Sequence, residues 1–246
     1  MRPSFIKITH IWVPIILIFF ISEVQGKTIA PIDTIILVHG LGRTAKSMDS
    51  LKERLEKVGY RVIAESYPST KKSIQEHAEW LQAIIDKASL DHPGKIHIVT
   101  HSLGGIITRY LFSTSKPKSL GRVVMLSPPN SGSEIVDFFE DSKLFQHFTG
   151  PSGKALGTDD QSIPNSLGPV DFEVGIITGD ATLNPLYSLL IPGEDDGKVS
   201  VERAKVQGMR DFLVVHKSHT FIMDSPEIAE QIIHFIEYSE FIHTNT

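Results

Sequence analysis

The stretch Lys95-Ile96-His97-Ile98-Val99-Thr100-His101-Ser102-Leu103-Gly104-Gly105 constrains this chain more than any other. Its first half is short, apolar and rich in β-branched residues, the composition of a strand covered on both faces. Its continuation places Ile106, Ile107, Tyr110 and Leu111 at helical spacing. Between strand and helix there is room only for a sharp turn with Ser102 at its apex. Side chains two places either side of such an apex would collide, so small residues are wanted there. Gly104 meets that demand, and Thr100 stands where glycine is commoner. A chain that passes from strand to helix in this way is expected to be α/β, with a mainly parallel sheet.

The rest of the sequence repeats the alternation. Short apolar runs at 34–38, 60–64, 95–99, 122–126, 173–178 and 211–215 predict about six strands. Thr44 can cap a helix whose Met48, Leu51, Leu55 and Val58 share a face, with Gly59 ending it. Ser73-Ile74-Gln75-Glu76 is a capping-box pattern, followed by Ala78, Leu81, Ile85 and Ala88 on one face. Ser225-Pro226 opens a last helix with Ile228, Ile232, Phe235 and Ile236 inward. Residues 131–170 break the pattern. Within them 134–148 is aromatic-rich and predicts one short amphipathic helix, whereas 150–168 is dense in Gly, Pro, Ser, Asp and Asn. An insert of this length is either a lid over a site or a solvated excursion, and a lid is the expectation adopted here.

With 246 residues the chain suits one domain able to bury its own core. The net charge of −5, without a basic stretch interleaved with aromatics, excludes a nucleic-acid footprint. There is no cysteine, which excludes disulfides, thiol nucleophiles and thiolate metal sites. Arg2, Lys7 and His10 flank the apolar run 11–21, and Val24-Gln25-Gly26 follows it as a signal-peptidase pattern. Residues 1–26 are therefore expected to be a signal peptide cleaved after Gly26, leaving an exported, periplasmic or secreted domain of 27–246. The alternative is an uncleaved membrane anchor over 5–24, which Lys7, His10 and Pro14 interrupt.

Five landmarks in order resemble the α/β-hydrolase superfamily, in its compact serine lipase and esterase branch. Val38-His39-Gly40-Leu41-Gly42 resembles the oxyanion loop, and Ser102 the nucleophile on its elbow. Ser127-Pro128-Pro129-Asn130-Ser131-Gly132-Ser133 resembles the P-x-x-x-G-S stretch. Asp195-Asp196-Gly197-Lys198-Val199 resembles the D-G-x-V acid loop, and Ser218-His219-Thr220 the histidine loop. The resemblance implies an α/β-hydrolase fold and a carboxyl ester hydrolase, with Ser102, Asp196 and His219 as catalytic residues. It implies Leu41 and Leu103 as backbone donors to the oxyanion, and no cofactor or metal. The chemistry requires these residue types: a serine needs a base to take its proton, and the base needs a carboxylate to fix its tautomer.

Alternatives remain at two of these positions. His216 competes with His219 as the base, and Asp180 and Asp195 compete with Asp196 as the acid. His39 and His101 are expected to support loop geometry. The aromatics Phe138, Phe139, Phe145 and Phe148 are expected to bind substrate as a wall of an acyl pocket, favouring lipidic esters. The expected partners are a small-molecule or lipid ester and, transiently, a membrane surface. A thioesterase or acyltransferase would use the same residues, and a non-catalytic binding module would keep the fold alone.

Overall fold

Alternating apolar side chains along each strand point to opposite faces, and here both faces are covered. In the computed structural model, which describes residues 32–243, β1 (Thr34–Val38) sends Ile36 and Val38 into one core and Ile35 and Leu37 into another. The strands β2 (Arg61–Ala64), β3 (Ile96–His101), β4 (Leu120–Leu126), β5 (Val174–Gly179) and β6 (Asp211–Val215) complete the sheet. Its order is β2-β1-β3-β4-β5-β6 and every pair is parallel. This is the doubly covered parallel sheet expected from the alternation, with six strands.

The helices α2 (Ile74–Asp91) and α3 (Leu103–Thr114) cover one face, burying Leu81, Ile85, Ile106 and Ile107. On the other face α1 (Asp49–Lys57) and α9 (Pro226–Tyr238) bury Leu51, Leu55, Ile232 and Phe235. The Ser73 capping box forms in full: Ser73 Oγ accepts from Glu76 N–H, and the Glu76 carboxylate accepts from Ser73 N–H. Thr44 and Ser225 precede their helices without a side-chain cap bond, and Thr44 leads first into a 3-10 turn, Ala45–Met48.

The insert is more helical than its composition suggests. The stretch 134–148 divides into α4 (Glu134–Phe138) and the start of α5 (Lys143–Lys154), and Ser142 Oγ caps α5 by accepting from Phe145 N–H. Beyond it, α5 continues past a kink at Gly150, and α6 (Ile163–Ser166) follows. Gly150 sits at φ 63°, and a Cβ there would lie 1.7 Å from the Thr70 carbonyl oxygen. Only glycine allows the insert to approach the body so closely. Ser152 Oγ then donates to the Lys72 carbonyl at 2.7 Å, pinning the insert to the loop before α2. Two short helices close the inventory: α7 (Pro185–Ser188) and α8 (Val201–Ala204).

Among the described residues no helix is long and apolar enough to cross a membrane. The signal peptide or anchor expected at 1–26 lies outside the described residues.

Candidate active site

Ser102 stands between the end of β3 and the first turn of α3, at φ 52° and ψ −119°. For a non-glycine residue this is a strained conformation, costing on the order of 1–3 kcal/mol. The surroundings hold it: Ser102 N–H donates to the Leu126 carbonyl, and Gly105 N–H to the Ser102 carbonyl, both at 2.9 Å. A Cβ on Gly104 would lie 2.6 Å from the Val38 carbonyl oxygen, so helix α3 can start this close to β1 only with glycine. Thr100, two places before the apex, is fully buried and tolerated there.

Three side chains from three loops meet in a chain of hydrogen bonds. His219 Nε2 lies 3.0 Å from Ser102 Oγ, and His219 Nδ1 lies 2.8 Å from Asp196 Oδ2. An ionised carboxylate only accepts, so the proton sits on Nδ1 and Nε2 accepts from the serine hydroxyl. Asp196 Oδ1 accepts from the N–H groups of Lys198 (3.0 Å) and Val199 (2.9 Å). Burial alone would raise the pKa of Asp196. The His219 charge and hydrogen bond, then the adjacent Ser127 hydroxyl and Val199 N–H, outweigh it and hold the carboxyl below its ordinary value. Ser127 Oγ is buried and makes no well-formed hydrogen bond of its own among the described residues.

The competing residues are engaged elsewhere. Asp180 pairs with His216 at 2.8 Å, and that imidazole is 88% exposed. Asp195 Oδ1 accepts from Gly197 N–H (2.7 Å) and Ser188 Oγ (2.8 Å), closing the acid loop upon itself.

Two further histidines shape the site. His101 is buried beside Ser102, and its Nε2 donates to the His219 carbonyl at 2.9 Å. Burial, then the neighbouring His219, pushes the His101 pKa well below that of an ordinary imidazole, so it stays neutral. His39 stacks on Tyr67 at 4.1 Å, donates from Nδ1 to the Gly40 carbonyl and accepts Tyr67 N–H at Nε2. Both histidines fix loop geometry. A Cβ on Gly40 would lie 2.7 Å from His101 Nδ1, so the loop 38–42 passes over the serine only with glycine there. The N–H groups of Leu41 and Leu103 donate to no acceptor among the described residues, and both flank Ser102.

A cavity of about 290 Å³ opens over Ser102 and His219. Of the four aromatics proposed from sequence, Phe145 and Phe148 line it, together with Ile135, Val136 and Leu156. Phe139 lies behind Phe145, ring to ring at 5.5 Å, and Phe138 is 62% exposed, outside the lining. The sequence reading missed Tyr187, Arg43 and Lys198, which also line the cavity. Arg43 directly follows the Gly40-Leu41-Gly42 loop and Lys198 is the variable position of the acid loop, so adjacency to the motifs was the available signal. Arg109, buried in α3, donates to the Asn130 and Gly168 carbonyls and so ties the elbow helix to the end of the insert. Burial draws its pKa down to about 10.

The chain matches a family model described as a domain of unknown function, DUF7379, over residues 22–165. That segment contains Ser102 and the loop 38–42 and ends before Asp196 and His219. No curated protein matches the chain. Similar solved structures include the mature lipase BlEst2 of Bacillus licheniformis, at 17% identity and TM-score 0.66, covering 85% of this chain and 92% of that one. Phospholipase PlaB of Legionella pneumophila is 19% identical at TM-score 0.64, covering 83% of this chain and 57% of that one, so the chain spans little more than half of it. A Paleococcus ferrophilus monoacylglycerol lipase is 19% identical at TM-score 0.55, covering 84% and 93%. These likenesses, with the six-stranded parallel sheet, establish the α/β-hydrolase fold. The chain belongs to the DUF7379 family, and that family's segment here forms the first part of an α/β-hydrolase domain.

Proposed function

We propose that this protein is a serine hydrolase of carboxyl esters, acting on lipidic esters through an acyl-enzyme. The observation that carries the reading is the hydrogen-bonded chain Ser102–His219–Asp196 at the floor of a largely apolar cavity. Ser102 Oγ attacks the acyl carbon as its proton passes to His219 Nε2. The Asp196 carboxylate stabilises the imidazolium, which then protonates the departing alcohol. Water repeats the sequence and releases the acid. The unengaged N–H groups of Leu41 and Leu103 are suited to the oxyanion, a contribution of roughly 3–4 kcal/mol per donor. The similar structures, described as lipases and a phospholipase, support an ester as substrate.

Exposed Phe138, Leu144 and Phe148 on the insert, with Leu186 and Leu189 near Tyr187, favour transient contact with a lipid surface. Export is the further part of the proposal, supported by the apolar run 11–21 behind Arg2 and Lys7. The test is hydrolysis of nitrophenyl esters of increasing acyl length by the full chain beside Ser102→Ala. Turnover lost in the variant supports the reading. Turnover retained above about a tenth, with unchanged circular dichroism, overturns the assignment of Ser102.

A further inference from the structure

The cavity over Ser102 carries a charge pattern that ester cleavage alone does not require. Arg43 and Lys198 both line it, and no aspartate or glutamate shares the lining. Neither cation has a carboxylate partner among the described residues; the one side-chain bond of Arg43 runs from Nη2 to the Thr220 carbonyl, at 3.3 Å. Desolvation and, after it, the nearby Arg43 charge draw the Lys198 ammonium below the ordinary lysine range, while Asp196 opposes them. Lys198 as a residue is exposed, and it also lines the cavity. Two cations lining one cavity without a paired carboxylate repel each other, and an anion bound between them relieves that repulsion.

Their position says which part of the substrate carries that anion. Arg43 is bonded to the residue after His219, and Lys198 follows Asp196 by two residues. Arg43 is thereby anchored to the histidine loop, and Lys198 stands on the acid loop that holds that histidine. In the proposed reaction the departing alcohol must lie at His219 Nε2 to take up its proton, whereas the acyl chain is accommodated by the apolar Phe145, Phe148, Ile135 and Val136. We infer that the substrate is an ester whose alcohol portion bears an anionic group, a phosphate or a carboxylate, seated between Arg43 and Lys198. The inference rests on the ester-hydrolase reading and narrows it. Cleavage breaks the acyl C–O bond, the alcohol leaves with the proton from His219, and the anionic group is unchanged.

The experiment compares kcat/KM of the full chain on three esters with one octanoyl chain: 1-octanoylglycerol, 1-octanoylglycerol 3-phosphate and O-octanoyl-lactate. The two anionic esters should be cleaved at least tenfold better than the neutral one at low salt, and the advantage should shrink as ionic strength rises. Whichever anionic ester gains more identifies phosphate or carboxylate as the group recognised. Arg43→Gln and Lys198→Gln should each lower the anionic-to-neutral ratio about tenfold, chiefly through KM, and Lys198→Arg should restore most of it. Equal cleavage of all three esters, or variants that lower activity on all equally, would overturn the inference and leave the hydrolase reading standing. Cleavage of none, together with no reaction of Ser102 with a fluorophosphonate, would overturn both.

Discussion

The Asp196 carboxylate meets His219 on one oxygen and two backbone N–H groups on the other, whereas Asp195 is engaged by Gly197 and Ser188 and Asp180 by His216. Replacing Asp196 by Asn should therefore lower kcat by about ten-thousand-fold, the size of effect seen when a triad acid loses its charge. Asp195→Asn and Asp180→Asn should cost less than about tenfold, and steady-state kinetics on a nitrophenyl ester would rank the three. A larger loss at Asp180 or Asp195 would move the acid there. The sequence could bring Ser102, Asp196 and His219 forward because each sits in a short motif in a fixed order. It could not separate adjacent aspartates by geometry, since which carboxylate turns toward the histidine depends on the turn that Gly197, at φ 94°, allows. Nor could it reveal Arg43 and Lys198 as cations without counter-charges, because the absence of a partner is a property of the folded loops.

At the scale of elements, the insert supplies one wall of the cavity through Phe145 and Phe148. Each acyl methylene buried against that wall is worth roughly 0.8 kcal/mol. The double variant Phe145→Ser, Phe148→Ser should depress kcat/KM on an octanoyl ester at least tenfold more than on an acetyl ester, whereas Phe138→Ser should leave the ratio of the two unchanged. Equal losses on both esters would mean that the aromatics hold structure only. Gly150→Ala should unseat the insert, because its Cβ cannot coexist with the Thr70 carbonyl; a loss of at least ~1 kcal/mol in urea unfolding is expected. The strands were legible to within two residues because each is a short apolar run, the inner four with residues buried toward both faces of the sheet. The insert was not. Its second half looked irregular by composition, yet Gly150 there makes the close approach to Thr70, and Pro151 and Pro164 stand in the first turns of helical segments. Which of its four aromatics face the cavity depends on the break between α4 and α5, which spacing alone did not reveal.

The whole molecule stores its pH response in buried imidazoles. Burial is the leading cause that lowers the pKa values of His39, His97 and His101, each at most 4% exposed. A histidine with a depressed folded-state pKa leaves stability unaffected above the unfolded value near 6.5. As pH falls below it the unfolded chain binds protons that the folded chain refuses, and stability is lost. Each such group contributes at most ~1.4 kcal/mol per pH unit, so unfolding free energy should fall between pH 7.5 and 5.5. Urea titrations at the two pH values check this, and an unchanged midpoint would contradict it. The alternation of strand and helix made the parallel sheet legible at this scale, while the order β2-β1-β3-β4-β5-β6 rests on pairings between distant segments. In the proposed mechanism Ser102 is a nucleophile activated by His219. Brief exposure to a fluorophosphonate, followed by intact-mass and peptide analysis, tests that role. The full chain should gain one adduct, on the peptide carrying Ser102; His219→Ala should gain it at least a thousandfold more slowly, and Ser102→Ala should gain none. Adduct formation in Ser102→Ala at the rate of the unaltered protein, or no adduct in the unaltered protein, would show that Ser102 is not the nucleophile.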